Sequence, residues 1–94
     1  MRTLKKVSIE PVFVEFIPDY NDLEQGKLYI SETYKCAVHL CLCGCGELTV
    51  TPLTNTGWTL IKNNGKISLT PSIGNYQFAC NSHYIITNNV ANFV

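Results

Sequence analysis

In the stretch HLCLCGCGEL, residues 39–48, cysteine occupies every second position from Cys41 to Cys45, and glycine follows each of the last two. Three thiols in five residues restrict the backbone severely. In an extended strand, residues two apart are separated by roughly 6.6 Å and residues four apart by twice that. The sulfurs of a tetrahedral zinc site lie somewhat under ~4 Å apart. Cys41, Cys43 and Cys45 can therefore share one ion only if the chain curls, and Gly44 and Gly46 permit the backbone angles that curling needs. The fourth ligand is most simply Cys80, which opens a second short motif, CNSHY. His83, three residues further on, is the alternative at legal ligand spacing. A site closed by four thiolates is structural, with no open position for substrate or water. Buried apolar thiols and a disulfide are competing readings, although the odd total of five cysteines argues against complete pairing. Cys36 is left over and is expected to pack in a strand.

The rest of the chain has almost no helical periodicity. Short runs rich in β-branched and aromatic residues alternate with Gly, Asn and Pro, which predicts strands over 12–17, 27–31, 36–40, 47–51, 58–62, 66–70, 76–79 and 83–87, with a weaker edge at 90–93. The clearest local signal is WTLIK-NNG-KISLT. Asn64-Gly65 suits a type I′ turn, which would set Leu60 against Leu69 and leave Thr59 and Ser68 on the polar side. The polar stretch 18–26 reads as a surface loop or a single helical turn. The expectation is an all-β fold: one small domain over residues 1–94, made of short antiparallel strands and hairpins with a structural zinc knuckle. A domain of this length buries a modest core, so a metal staple would add stability.

Charge narrows the partners. Seven basic and seven acidic side chains cancel, and all the acids lie between Glu10 and Glu47. No Lys/Arg cluster exists to track phosphates, so nucleic acid is not expected. Glu10, Pro11 and Glu15 interrupt any apolar signal core near the start, and no run approaches the roughly 20 apolar residues that span a bilayer. A cytoplasmic, membrane-free protein is expected, in a reducing compartment where clustered cysteines favour metal over disulfide.

The second notable stretch is SLTPSIGN. Pro71 is expected to stop the preceding strand and present Ser72 at its end, with Gly74 allowing a tight turn. A serine nucleophile needs a base, and the chain has two histidines, His39 and His83. His39 precedes the cysteine knot and His83 follows Cys80. One ion joining the two cysteine segments would therefore bring both imidazoles toward Ser72.

Taken in order, VEFIPD, LYIS, HLCLCGCGELTVTPL, GWTL, ISLTPSIGN and CNSHYII resemble a family of small bacterial and phage proteins. Members of that family lie beside E1-like, E2-like and ubiquitin-like proteins in bacterial ubiquitination-like operons. The resemblance covers roughly residues 12–90. It implies structural zinc at Cys41, Cys43, Cys45 and Cys80, and a serine peptidase site at Ser72 with His83 or His39 as base. It also implies a ubiquitin-like protein or its conjugates as substrate, with E1/E2-like proteins as further partners. Two other readings fit the residues. One is a non-enzymatic zinc-ribbon-like interaction module contacting its partner through Trp58, Tyr76 and Tyr84. The other is a catalytic zinc ligated by His39 or His83.

Overall fold

A computed structural model describes residues 5–75 and 82–94 of the chain. Among the described residues nine strands form two sheets: β1 (Lys6–Ser8), β2 (Glu10–Phe13), β3 (Lys27–Ser31), β4 (Cys36–Leu40), β5 (Leu48–Pro52), β6 (Thr59–Asn63), β7 (Lys66–Asn75), β8 (Ser82–Thr87) and β9 (Val90–Phe93). The larger sheet runs β1-β9-β8-β7-β6 and the smaller β2-β3-β4-β5. Every pairing is antiparallel except β2 with β3, which run parallel. The polar stretch holds one 3₁₀ turn, Tyr20–Asp22. No helix among the described residues is long and apolar enough to cross a membrane. The strand expected at 76–79, and Cys80, lie outside the described residues.

The two sheets share a core. Leu28 and Ile30 from β3, Ile67, Leu69 and Ile73 from β7, and Tyr84 and Ile86 from β8 are buried in one cluster, together with Cys41 and Leu42 of the knot. β7 shows the required alternation, with Ile67, Leu69 and Ile73 inward and their neighbours more exposed. β3 is buried on both faces, because Leu23, Val38 and partly buried Val12, Val14 and Ile17 cover Tyr29 on its other side. The Asn64-Gly65 turn takes the expected left-handed angles, φ 54° and 80°, and Leu60 faces Leu69 in register.

One expectation is corrected. Pro71 does not end the strand: β7 runs through it to Asn75. β6 stops pairing at Thr70, and the register against β8 shifts between Leu69 and Ile73. Pro71 therefore has no registered partner on either side, and its missing N–H breaks no ladder bond. Ser72 consequently lies along a sheet rather than at a strand end.

Burial in the shared core sets a stability expectation. Ile30 is 0% exposed, whereas Ile61 on β6 is 46% exposed. Ile30→Ala is expected to cost about 2–5 kcal/mol in urea unfolding, and Ile61→Ala to stay within about 0.5 kcal/mol of wild type. Equal effects would show that the sheets do not pack as described.

Candidate active site

Beyond the bulge, β7 pairs with β8 as Ile73↔Tyr84, Gly74↔His83 and Asn75↔Ser82. Side chains alternate across a strand. Ile73, Asn75, Ser82 and Tyr84 therefore point inward and are buried. Ser72, Gly74 and His83 share the outer face, where Ser72 and His83 are half-buried. Gly74 stands directly opposite His83, and its lack of a side chain leaves the imidazole room to lean toward the diagonal neighbour. His83 Nε2 lies 2.6 Å from Ser72 Oγ. At that distance the serine hydroxyl can donate to an unprotonated ring nitrogen, the relation a nucleophile has to its base.

His39 is placed elsewhere. It sits near the end of β4, 1% exposed, with Nε2 2.7 Å from the Tyr84 hydroxyl and the two rings meeting edge-on. Its Nδ1 is buried without a hydrogen-bond partner among the described residues. Burial lowers its pKa to about 4, so His39 is neutral at pH 7. The imidazole that the fold brings to Ser72 is that of His83.

The cysteine knot occupies the connection between β4 and β5. The chain curls with φ of 97° at Gly44 and 81° at Gly46. The curl is closed by Cys41 N–H donating to the Glu47 carbonyl at 2.8 Å and Gly44 N–H to the Cys41 carbonyl at 3.0 Å. Two side chains from the β2–β3 connection hold it from outside: the Tyr20 hydroxyl donates to the Gly46 carbonyl and Gln25 Nε2 to the Cys41 carbonyl. The sulfurs of Cys41, Cys43 and Cys45 all lie within 4.8 Å of one another, with Cys41 and Cys43 3.5 Å apart.

The donor set suits a thiophilic metal ion. Three soft ligands converge, and N–H groups are aimed at two of them: Cys45 N–H at Cys43 Sγ, 3.3 Å, and Asn75 Nδ2 at Cys41 Sγ, 3.4 Å. Such donors stabilise a thiolate. Burial pushes the Cys41 thiol pKa up, an effect that a bound divalent cation reverses. Among the described residues neither histidine belongs to this group. Cys80, expected as the fourth ligand, lies outside the described residues. Cys36 is a free thiol, half-buried at the start of β4.

Between knot and outer face runs a buried polar network that the sequence did not announce. Asn75 Nδ2 is 3.4 Å from Cys41 Sγ, 3.3 Å from Thr49 Oγ1 and 3.3 Å from the Tyr84 hydroxyl. Ser82 Oγ is 3.8 Å from Cys41 Sγ. Asn75 adjoins Gly74, and Ser82 and Tyr84 flank His83, so the network fixes from beneath the strands that carry the outer pair. Asn75 itself points into the core and is buried. Tyr84, considered as a contact residue, is fully buried. Trp58 packs against the core cluster, and Tyr76 is outside the described residues. The alternation inward at 73 and 75 and outward at 72 and 74 was the available signal, hidden by the assumption that the strand ended at Pro71.

Comparison with known proteins found no match among curated proteins and none among solved structures. Residues 13–94 match a family described as bacterial ubiquitination-like system serine protease (BubE). The match takes in both segments of the serine–histidine pair and the whole cysteine knot. This chain belongs to the bacterial ubiquitination-like system serine protease (BubE) family.

Proposed function

We propose that the chain is a zinc-stabilised serine peptidase that processes a ubiquitin-like protein or removes it from conjugates, with Ser72 as nucleophile and His83 as base. The observation that carries this reading is the 2.6 Å contact between Ser72 Oγ and His83 Nε2 on an accessible sheet face, in a chain of a serine protease family. His83 Nε2 takes the hydroxyl proton as Oγ attacks the scissile carbonyl. Gly74 stands opposite His83, whose carbonyl accepts from Val94 N–H on the β9 side, so the Gly74 N–H lies on the β7 edge away from β8, and there it stabilises the tetrahedral oxyanion. On collapse the C–N bond breaks, and His83 returns the proton to the leaving amine. Water, deprotonated by the same imidazole, then hydrolyses the acyl-serine and frees the carboxylate. The burial of His39 against Tyr84 supports His83 over His39 as the base.

Cys41, Cys43 and Cys45, with Cys80 as fourth ligand, would hold the zinc. When bound, it supplies the positive charge that keeps converging thiolates together and clips the β4–β5 connection to the segment before β8. Its role is structural, so Ser72 and His83 perform every proton transfer and bond change. The chain works as one zinc-binding β domain in the cytoplasm, where the thiols stay reduced.

The test is incubation with the ubiquitin-like protein of the same system, carrying a C-terminal extension, with products read by mass spectrometry. Wild type is expected to release the extension. His83→Ala should lower kcat/KM by at least about 10³-fold with an unchanged circular dichroism spectrum, while His39→Gln should retain the activity of its folded fraction. Cleavage surviving in His83→Ala would remove the base from the scheme. Partner binding without cleavage, indifferent to both substitutions, would leave an interaction module.

A further inference from the structure

β7 is ten residues long and β6 is five. Their register runs from Asn63↔Lys66 to Thr59↔Thr70, so β6 covers only the first half of β7. Over residues 71–75 no strand among the described residues is registered on that side. The cause lies in the turn before β6. Gly57 N–H closes on the Thr54 carbonyl at 3.0 Å, and Trp58 N–H donates to the Pro52 carbonyl at 2.8 Å, which ties the chain to the end of β5 until Thr59. A Cβ on Gly57 would collide with that same Pro52 oxygen, so the turn is as tight as glycine allows. β6 cannot be extended backward to cover Ser72.

The uncovered half of β7 is the half that carries the serine. An open strand edge presents N–H and C=O groups at the spacing an extended polypeptide needs. Pro71 is exposed, and Ser72 and Gly74 are part-exposed, so solvent reaches this edge. Facing residues of adjacent strands have Cα atoms about 4.5–5.5 Å apart. A chain laid along the edge therefore passes within the reach of one serine side chain. Pro71 suits an edge that ordinarily lacks a partner, because it offers no N–H there.

We infer that residues 71–75 of β7 bind the substrate as an added strand, collinear with β6, and that the substrate is consequently an extended polypeptide tail rather than a folded surface. The inference rests on the peptidase reading above. The paired length is about five residues, roughly 17 Å. On alternate tail residues the N–H points at β7, and on the intervening residues it points away.

The experiment uses the intact protein and a fluorogenic ten-residue peptide spanning the bond that the wild-type chain cleaves in the ubiquitin-like protein of its system. The peptide is N-methylated at one position at a time. Methylation at alternate positions near the scissile bond should lower kcat/KM about tenfold or more, the loss of a ladder hydrogen bond together with the methyl clash. At the intervening positions the change should stay within about twofold. The Ser72→Ala variant should reproduce the same alternation in peptide Kd, measured by fluorescence polarisation without turnover. A flat profile alongside Ser72-dependent cleavage overturns added-strand binding and leaves the peptidase reading standing. Absence of any Ser72-dependent cleavage overturns both.

Discussion

Ser72→Ala is expected to lower kcat/KM for release of the ubiquitin-like protein's extension by at least about 10⁴-fold, because residual catalysis without a nucleophile rests on oxyanion stabilisation and binding alone. The same substitution should leave the fold in place. Ser72 is half-buried on the outer face of β7, and its hydroxyl faces one imidazole at 2.6 Å. Losing that contact costs about 1 kcal/mol or less, a few degrees in Tm for a domain of this size. Burst kinetics of the wild type, with one acyl-enzyme equivalent trapped at Ser72 and identified by mass spectrometry, is the companion measurement. An alanine variant that keeps a tenth of wild-type activity would show that another group performs the attack.

Stripping the metal is expected to have the largest effect on stability. Purified protein should carry about one equivalent of zinc, and chelation should lower Tm by about 15 °C or more. Binding of structural zinc has an apparent worth of about 10–16 kcal/mol in the smallest zinc domains, comparable with the whole stability of an ordinary domain. Here the β-sheet core carries part of the stability. The loss should therefore fall first on the knot and on the strands tied to it through Asn75 and Ser82. Cys41→Ser should resemble the chelated protein, since Cys41 is 0% exposed and belongs to both the knot and the core cluster. A chelated protein that keeps its Tm but loses hydrolysis would instead make the metal catalytic. Full stability and activity without bound metal would reduce the knot to packed thiols.

Much of the architecture was legible because its signals are local. β3, β4 and β9 match their expected limits, since short runs of β-branched, aromatic and apolar residues describe a strand without reference to anything distant. The Asn64-Gly65 hairpin follows from the positive φ those two residues tolerate. β1 was not foreseen: Lys6–Ser8 is polar and short, and it is a strand because β9 pairs with it. The parallel β2–β3 pairing likewise depends on a return loop whose path is decided by Leu23 and Ile17 packing over Tyr29.

The sequence by itself determined that the chain would be strands rather than helices, that residues 41–45 must curl if their thiols share one ion, and that His39 and His83 were the two imidazoles available to a serine such as Ser72. Composition and spacing suffice for such conclusions, because backbone preference and ligand chemistry belong to each residue. Which histidine meets Ser72 was decided only in three dimensions. His39 and His83 carry the same ring, but β4 turns the first toward the buried Tyr84 hydroxyl. Register places the second opposite Gly74 on the outer face. A strand's two faces differ by a single residue of register. That register depends on a bulge between Leu69 and Ile73, set by the partners on either side of β7.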